Sequence, residues 1–261
     1  MQKRHSDPLQ YINEQAFTTE KYILPFIRQA KAIEPLMQVL EIGCGEAGNL
    51  KPFLDLGCKC VGVDFSAPKI EKGKEFFSTH TNAANIRLIS EDIYKTKEFD
   101  AQFDIIILRD VIEHIHDQDK FLALMKKLLA PGGIAFFAFP PWQNPFGGHQ
   151  QICESKVLSL LPYYHLLPVA LYKGLLKTFG ESDAKISTLL EIKETGISLE
   201  RFEKTAHKNG YEQVLRTLFL INPNYEVKFG LKPRKLTKII SSIPFLRNFF
   251  ATCGYYIIRV K

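Results

Sequence analysis

The chain has 261 residues, 46% of them apolar and 24% charged, with a net charge of +6. This is ordinary globular composition, which argues against a disordered chain, and the length suits one full α/β core or at most two domains. Five cysteines, an odd number with no C-x-x-C, argue against a disulfide framework; Cys58 and Cys60 form a C-x-C that misses the usual zinc spacings, so reduced thiols in a cytoplasmic protein are expected.

The N-terminal MQKRHSDPLQ has no apolar h-region, so no signal peptide is read. Residues 8 to 37 read as helical, with Ile23, Phe26, Ile27 and Ile33 set among polar positions. Short apolar runs then alternate with helical stretches. The runs are 38–43, 60–65, 86–92, 103–110 and 133–140; 68–80 and 117–130 are helix-like. Strands alternating with helices imply a parallel, doubly wound sheet. Four consecutive apolar residues, Ile105 to Leu108, suit a central strand buried on both faces.

From Pro141 to about Thr195 the alternation breaks, as expected of a helical lid inserted after the fifth strand. Its run 157–176 carries Pro162, His165, Pro168 and Lys173, which argues against a membrane-spanning helix of about 20 apolar residues. Residues 197–211 restore a helix, with Ser198 as N-cap and Gly210 as terminator. Residues 212–221 and 255–261 read as two closing strands, joined by a long basic connection, 222–250. The expected fold is therefore a Rossmann-like, seven-stranded, mostly parallel sheet with helices on both faces. Its parts are a cofactor-binding half with the N-terminal helix (1–140), the lid (141–195), and the last helix with the closing strands (196–261).

Residues 222–261 hold eight Lys or Arg against one acid, Glu226, which leaves the first 221 residues at −1. Such asymmetry points to an anionic partner for the tail. The stretch 228–250 mixes Lys and Arg with Ile, Leu and Phe, which suits peripheral contact with an anionic membrane surface or a solvated hairpin.

At the end of the first run, VLEIGCGEAG sets Gly43, Gly45 and Gly48 in G-x-G-x-x-G spacing, the fingerprint of a nucleotide-shaped cofactor. Neighbouring residues choose between NAD and S-adenosylmethionine. Glu41 stands two residues before Gly43, where a carboxylate would repel a pyrophosphate and favour a sulfonium and an ammonium. Asp64 ends the second run and can accept both hydroxyls of a ribose, which fits either cofactor. Glu91-Asp92-Ile93 ends the third, where an acid can accept from an adenine amino group.

With these residues in place the chain resembles class I S-adenosylmethionine-dependent methyltransferases, in particular the small-molecule branch that includes quinone-biosynthesis methyltransferases. VLEIGCGEAG, VGVDFS, EDI, FDIIILRDVIEHIHD and LLAPGGIAFFAFP match that family's motifs in order, over roughly residues 35 to 140. The resemblance implies that Glu41, Gly43, Cys44 and Gly45 line the methionine side of S-adenosylmethionine. Asp64 would hold the ribose, Phe65 would pack near the adenine, and Asp92 and Ile93 would read its edge. Arg109 and Asp110 would approach the methionine moiety; Arg109 departs from the small or apolar residue usual there and would pair with the cofactor's carboxylate or with an anionic substrate.

Methyl transfer from a sulfonium is an in-line displacement, and an oxygen acceptor also needs a base. His149, on a loop after the fifth strand, is the first candidate because an imidazole titrates near neutrality. His114 is the second; in this family it more often steadies the loop after the fourth strand. His114 and His116, two residues apart on a helix, would not share a face, and no metal is expected. FPPW (139–142) resembles a motif of amino-methyltransferases, but Phe139 cannot accept from an amino group and the motif follows the wrong strand. No nucleic-acid partner is expected. The leucines and tyrosines of 141–195 suggest an apolar small-molecule acceptor, such as a lipid, quinone or lipid-linked saccharide. An NAD-dependent oxidoreductase and a catalytically silent cofactor-binding protein remain as alternatives.

Overall fold

The computed structural model describes residues 8–96 and 98–261. Residues 1 to 7, which contribute to the expectation of no signal peptide, lie outside the described residues. The chain opens with α1 (Pro8–Thr18), passes through a π-helical turn (Thr19–Ile23) and ends that segment in α2 (Leu24–Ile27). The helix expected to run to residue 37 stops here. Ala30 and Lys31 both turn back onto the Ile27 carbonyl, and Pro35 biases Glu34 away from helix as the chain enters the first strand.

Strand β1 (Gln38–Ile42) leads through the glycine turn to α3 (Lys51–Asp55), β2 (Lys59–Asp64), α4 (Ala67–Phe77) and β3 (Ile86–Ser90). β4 (Phe103–Arg109), α5 (Gln118–Leu128) and β5 (Leu129–Phe139) complete the parallel part. β5 starts earlier than the sequence suggests. Leu129 pairs with Phe103 and Ile134 with Ile105, so the residues between, with Gly132 at positive φ, form a bulge inside the strand.

After β5 come α6 (Lys156–Leu160), α7 (Val169–Thr178), α8 (Asp183–Thr195) and α9 (Leu199–Lys208). The chain then runs through β6 (Tyr211–Ile221), α10 (Asn224–Phe229), β7 (Arg234–Lys235), α11 (Lys238–Ser242), α12 (Leu246–Phe250) and β8 (Cys253–Val260). The sheet order is β3-β2-β1-β4-β5-β8-β6-β7, with β8 antiparallel between β5 and β6. Among the described residues, eight strands replace the expected seven. The extra one is the two-residue edge strand β7, too short to leave a periodic signal.

Successive residues of the central strands feed opposite layers. Ile106 and Phe137 face α5 and α9, where Phe121, Met125 and Phe202 are buried. Ile105, Ile107 and Phe136 face α2, α3 and α4, where Phe26, Phe53 and Ile70 are buried. Ser198 caps α9 as expected, its hydroxyl accepting from the Arg201 N–H, and Gly210 ends it at φ +81°. The carboxyl ends of β1, β2 and β4 thus converge at one edge of the sheet, where such folds bind ligands.

The segment 141–195 forms its own helical unit with its own core of Leu158, Tyr164, Tyr172, Leu176, Ile186 and Leu189. Its entry loop is pinned at Trp142, whose N–H donates to the Ile197 carbonyl. Burial pushes the His165 imidazole down to about 4, so it is neutral. Its Nε2–H donates to the Trp142 carbonyl (2.8 Å) while Nδ1 accepts from Gln150 (3.1 Å). Among the described residues, no helix is long and apolar enough to cross a membrane.

Candidate cofactor site

The glycine turn is shaped by contacts that a side chain would destroy. Gly43 sits at φ +72°, and a Cβ there would meet the Val111 side chain at 2.6 Å. At Gly48 a Cβ would lie 2.6 Å from the Ile12 carbonyl oxygen, so the turn packs directly on the backbone of α1. That packing brings Tyr11 and Gln15, one helical turn apart on α1, over the turn.

A cavity of about 330 Å³ opens at this edge. Of the residues expected to bind cofactor, Gly43, Cys44, Gly45, Asp64, Phe65, Ile93, Arg109 and Asp110 line it. Asp64 is held from both sides: Oδ2 accepts from the Gly45 N–H and Oδ1 from the Ser66 N–H, each at 2.8 Å. Each carboxylate oxygen keeps capacity for a further donor, so the group is pre-oriented to receive a diol. Phe65 is 76% exposed and presents a face for an adenine. Burial pushes the Cys44 thiol far above its ordinary value, which leaves it a small apolar wall.

Two expected residues stand back from the cavity. Asp92 turns away, its Oδ1 accepting from the Tyr94 N–H; the acid of this strand end that lines the cavity is its neighbour Glu91. Glu41 lies beneath the turn, 1% exposed. Its Oε1 accepts from Asn49 Nδ2 (2.6 Å), and Asn49 Oδ1 accepts in turn from Arg109 (2.8 Å) and from the Thr19 hydroxyl (2.9 Å). Glu41 Oε2 is buried with no hydrogen-bond partner among the described residues. Burial pushes the carboxyl up to about 8, against the pull of Asn49 and Arg109. The buried Glu41 carboxyl with one orphaned oxygen, the glycine turn and the pre-oriented Asp64 fit a cofactor bearing a ribose and positive charge.

The network shows what sequence reading missed. Asn49 and Thr19 organise Glu41 and Arg109, while Tyr11, Gln15 and Glu91 line the cavity. Spacing carried one signal: Tyr11 and Gln15 share a face of α1. Arg109, buried at 6% side-chain exposure, is engaged internally by Asn49 and lies 3.8 Å from Asp110.

His114 lines the cavity, whereas His149 stands behind it, ring to ring at 5.0 Å. Burial lowers both imidazoles below their ordinary value, His149 to about 4. Beside them Glu113 is buried, neither carboxylate oxygen has a partner among the described residues, and burial raises its carboxyl well above the usual range. The ligand atoms of Glu113, His114 and His149 lie within 4.8 Å of one another, a grouping that spacing along the chain could not reveal. His116 is elsewhere, exposed and 3.4 Å from Glu191. Phe139 of FPPW is fully buried in β5. None of the cavity-lining residues comes from 141–195; that segment reaches the site through His149.

The fold is Rossmann-like, with its cavity at the edge where the carboxyl ends of β1, β2 and β4 converge. A family model described as a methyltransferase domain matches residues 13–165, more than half of the chain, and the chain belongs to that family, whose methyl donor is S-adenosylmethionine. A ubiquinone biosynthesis O-methyltransferase of Bartonella bacilliformis is 30% identical over 125 residues, 47% of this chain and 50% of the relative. The corresponding protein of Rhizobium johnstonii is 32% identical over 130 residues. The chain thus spans about half the length of the curated relatives it matches. Among solved structures, geranyl diphosphate C-methyltransferase from Streptomyces coelicolor A3(2) superposes with a TM-score of 0.57 at 13% identity, covering 92% of this chain and 78% of that one. A Haemonchus contortus phosphoethanolamine N-methyltransferase with bound S-adenosyl-L-methionine gives 0.59 at 13% identity, covering 96% of this chain and 56% of that one. At such identities the likeness is one of fold.

Proposed function

We propose that the protein transfers a methyl group from S-adenosylmethionine to a small, apolar acceptor of the lipid, quinone or lipid-linked saccharide class. When bound, the cofactor supplies an electrophilic methyl on a sulfonium. Asp64 would hold its ribose, Phe65 and Ile93 its adenine, with Glu91 the acid at that edge. Gly43 and Gly45 would take its methionine end, with Glu41 beneath the turn as the nearby acid. Tyr11 and Gln15 of α1 cover the cavity and exclude water, and displacement then depends on alignment. The apolar wall of Val111, Ile115, Tyr94 and Phe121 supports an acceptor with an apolar body. The likeness to ubiquinone biosynthesis O-methyltransferases supports an oxygen acceptor. For a hydroxyl, His114 is the base that faces the cavity, a neutral imidazole backed by His149.

The observation that carries this reading is Glu41: a buried carboxyl, pushed up to about 8, with one oxygen unpartnered beside the glycine turn. At pH 7 it is mostly protonated in the free protein. A cation placed beside it favours the carboxylate, so binding expels a proton, up to about one per site; the release disappears above pH 8 to 9, where Glu41 is already ionised. Calorimetric titration at pH 7 in phosphate and in Tris reads this as a buffer-dependent enthalpy. S-adenosylmethionine is expected to bind with proton release, and Glu41→Gln is expected to remove the buffer dependence. Binding of NAD in place of S-adenosylmethionine would point instead to an oxidoreductase, and buffer-independent binding by the wild type would remove Glu41 from the account.

A further inference from the structure

We propose that the protein docks on an anionic bilayer through a single composite face made by the inserted helices α6 and α7 together with α11 and α12. This rests on the apolar-acceptor reading above and gives it a location. Two segments far apart in sequence, 155–180 and 227–250, contain no Asp or Glu at all. Both expose large apolar side chains: Leu160 is 75% and Leu171 61% exposed in the first, Ile239 76% and Phe245 70% in the second. Large exposed apolar side chains recur along both segments, and where such residues gather into one patch rimmed by polar groups they mark an interaction site.

The segments meet. The Tyr163 hydroxyl donates to the Phe249 carbonyl at 3.2 Å, and the two rings lie 6.5 Å apart. The same Tyr163 donates its N–H to the Pro145 carbonyl, in the loop that carries His149. The composite face therefore adjoins the loop whose His149 ring stands behind the candidate base His114.

The second segment is not the loose basic hairpin its composition allows. Arg247 is buried between Glu200 and Glu203, and Glu200 also accepts from the Phe245 N–H and from Asn248. Arg259 is paired with Glu212. Two of the tail's eight bases are thus neutralised within the fold. Glu200 clamps the turn at 245–248 from below and leaves the Phe245 ring outside. Exposed Lys232, Arg234, Lys235 and Lys238 lie along the chain before it, and Lys156, Lys173 and Lys177 flank the apolar residues of α6 and α7. Apolar tips among cations, with no acid on either segment, complement a headgroup layer of negative charge above an acyl region. A protein groove would have no need to exclude every acid from both segments.

Flotation of the full chain with phosphatidylglycerol–phosphatidylcholine vesicles, without cofactor or acceptor, tests the proposal. Binding is expected, falling at least about tenfold on pure phosphatidylcholine because the cations on both segments lose their counter-charge. The double variant Ile239→Glu/Phe245→Glu should lose it by a similar factor, and Leu160→Glu on the other segment should weaken it too. Because none of these residues lines the cavity, each variant should still bind S-adenosylmethionine, which shows that it folds and keeps vesicle docking separable from the cofactor reading. Failure of the wild type to float, binding indifferent to lipid charge, or full binding by the variants overturns the proposal. So does a monomer–dimer shift abolished by the same substitutions, which would make a second copy the occupant.

Discussion

Replacing His114 with alanine is expected to lower turnover on a hydroxyl acceptor by about 10²- to 10⁴-fold, the usual contribution of a positioned base. His114 is the imidazole that lines the cavity, and partial desolvation lowers its pKa, which favours the neutral form that can accept a proton. Affinity for S-adenosylmethionine should be nearly unchanged, because Asp64 and the glycine turn are untouched. His149→Ala should give a smaller loss, since that ring reaches the cavity only through His114. Steady-state kinetics and calorimetry separate the two effects: kcat falls while cofactor affinity holds. A metal chelator should leave wild-type turnover unchanged. Loss of activity on chelation would instead assign Glu113, His114 and His149 to a cation.

The second large effect is expected at Asp64. Its carboxylate is fixed by the Gly45 and Ser66 N–H groups and aimed at the cavity. Each hydrogen bond from a ribose hydroxyl to a carboxylate contributes about 1.5 to 3 kcal/mol. Losing two should weaken S-adenosylmethionine binding by roughly 10²- to 10⁴-fold in Asp64→Ala. Asp64→Asn keeps an acceptor but not the charge and should fall between. Unaltered affinity in Asp64→Ala, measured by calorimetry, would move the ribose elsewhere.

These sites were legible in unequal measure, for physical reasons. The strands show as apolar runs because both faces of a parallel sheet are buried, so Ile105 to Leu108 announced β4 directly. The glycines and Asp64 were legible because a turn and a strand end constrain residue type locally. The Asn49–Glu41–Arg109–Thr19 network was not, since its members meet only after α1 packs on the turn. Asp92 and Glu91 are adjacent acids, and only the Asx-type turn at Tyr94 decides which one faces the cavity. The leucines of 141–195 suggested a pocket wall, but a segment of that length needs its own core, and several of them serve it. The pairing of His114 with His149 joins residues 35 positions apart, which no periodicity reports.

The most direct test of the central claim is transfer of a tritium-labelled methyl group. The full chain would be incubated with labelled S-adenosylmethionine and either a detergent-dispersed lipid extract or a panel of water-soluble acceptors. The account predicts label in the organic phase, dependent on His114 and Asp64, with little transfer to the soluble panel. Rapid transfer to a soluble acceptor without detergent or vesicles, and none to the lipid extract, would contradict it.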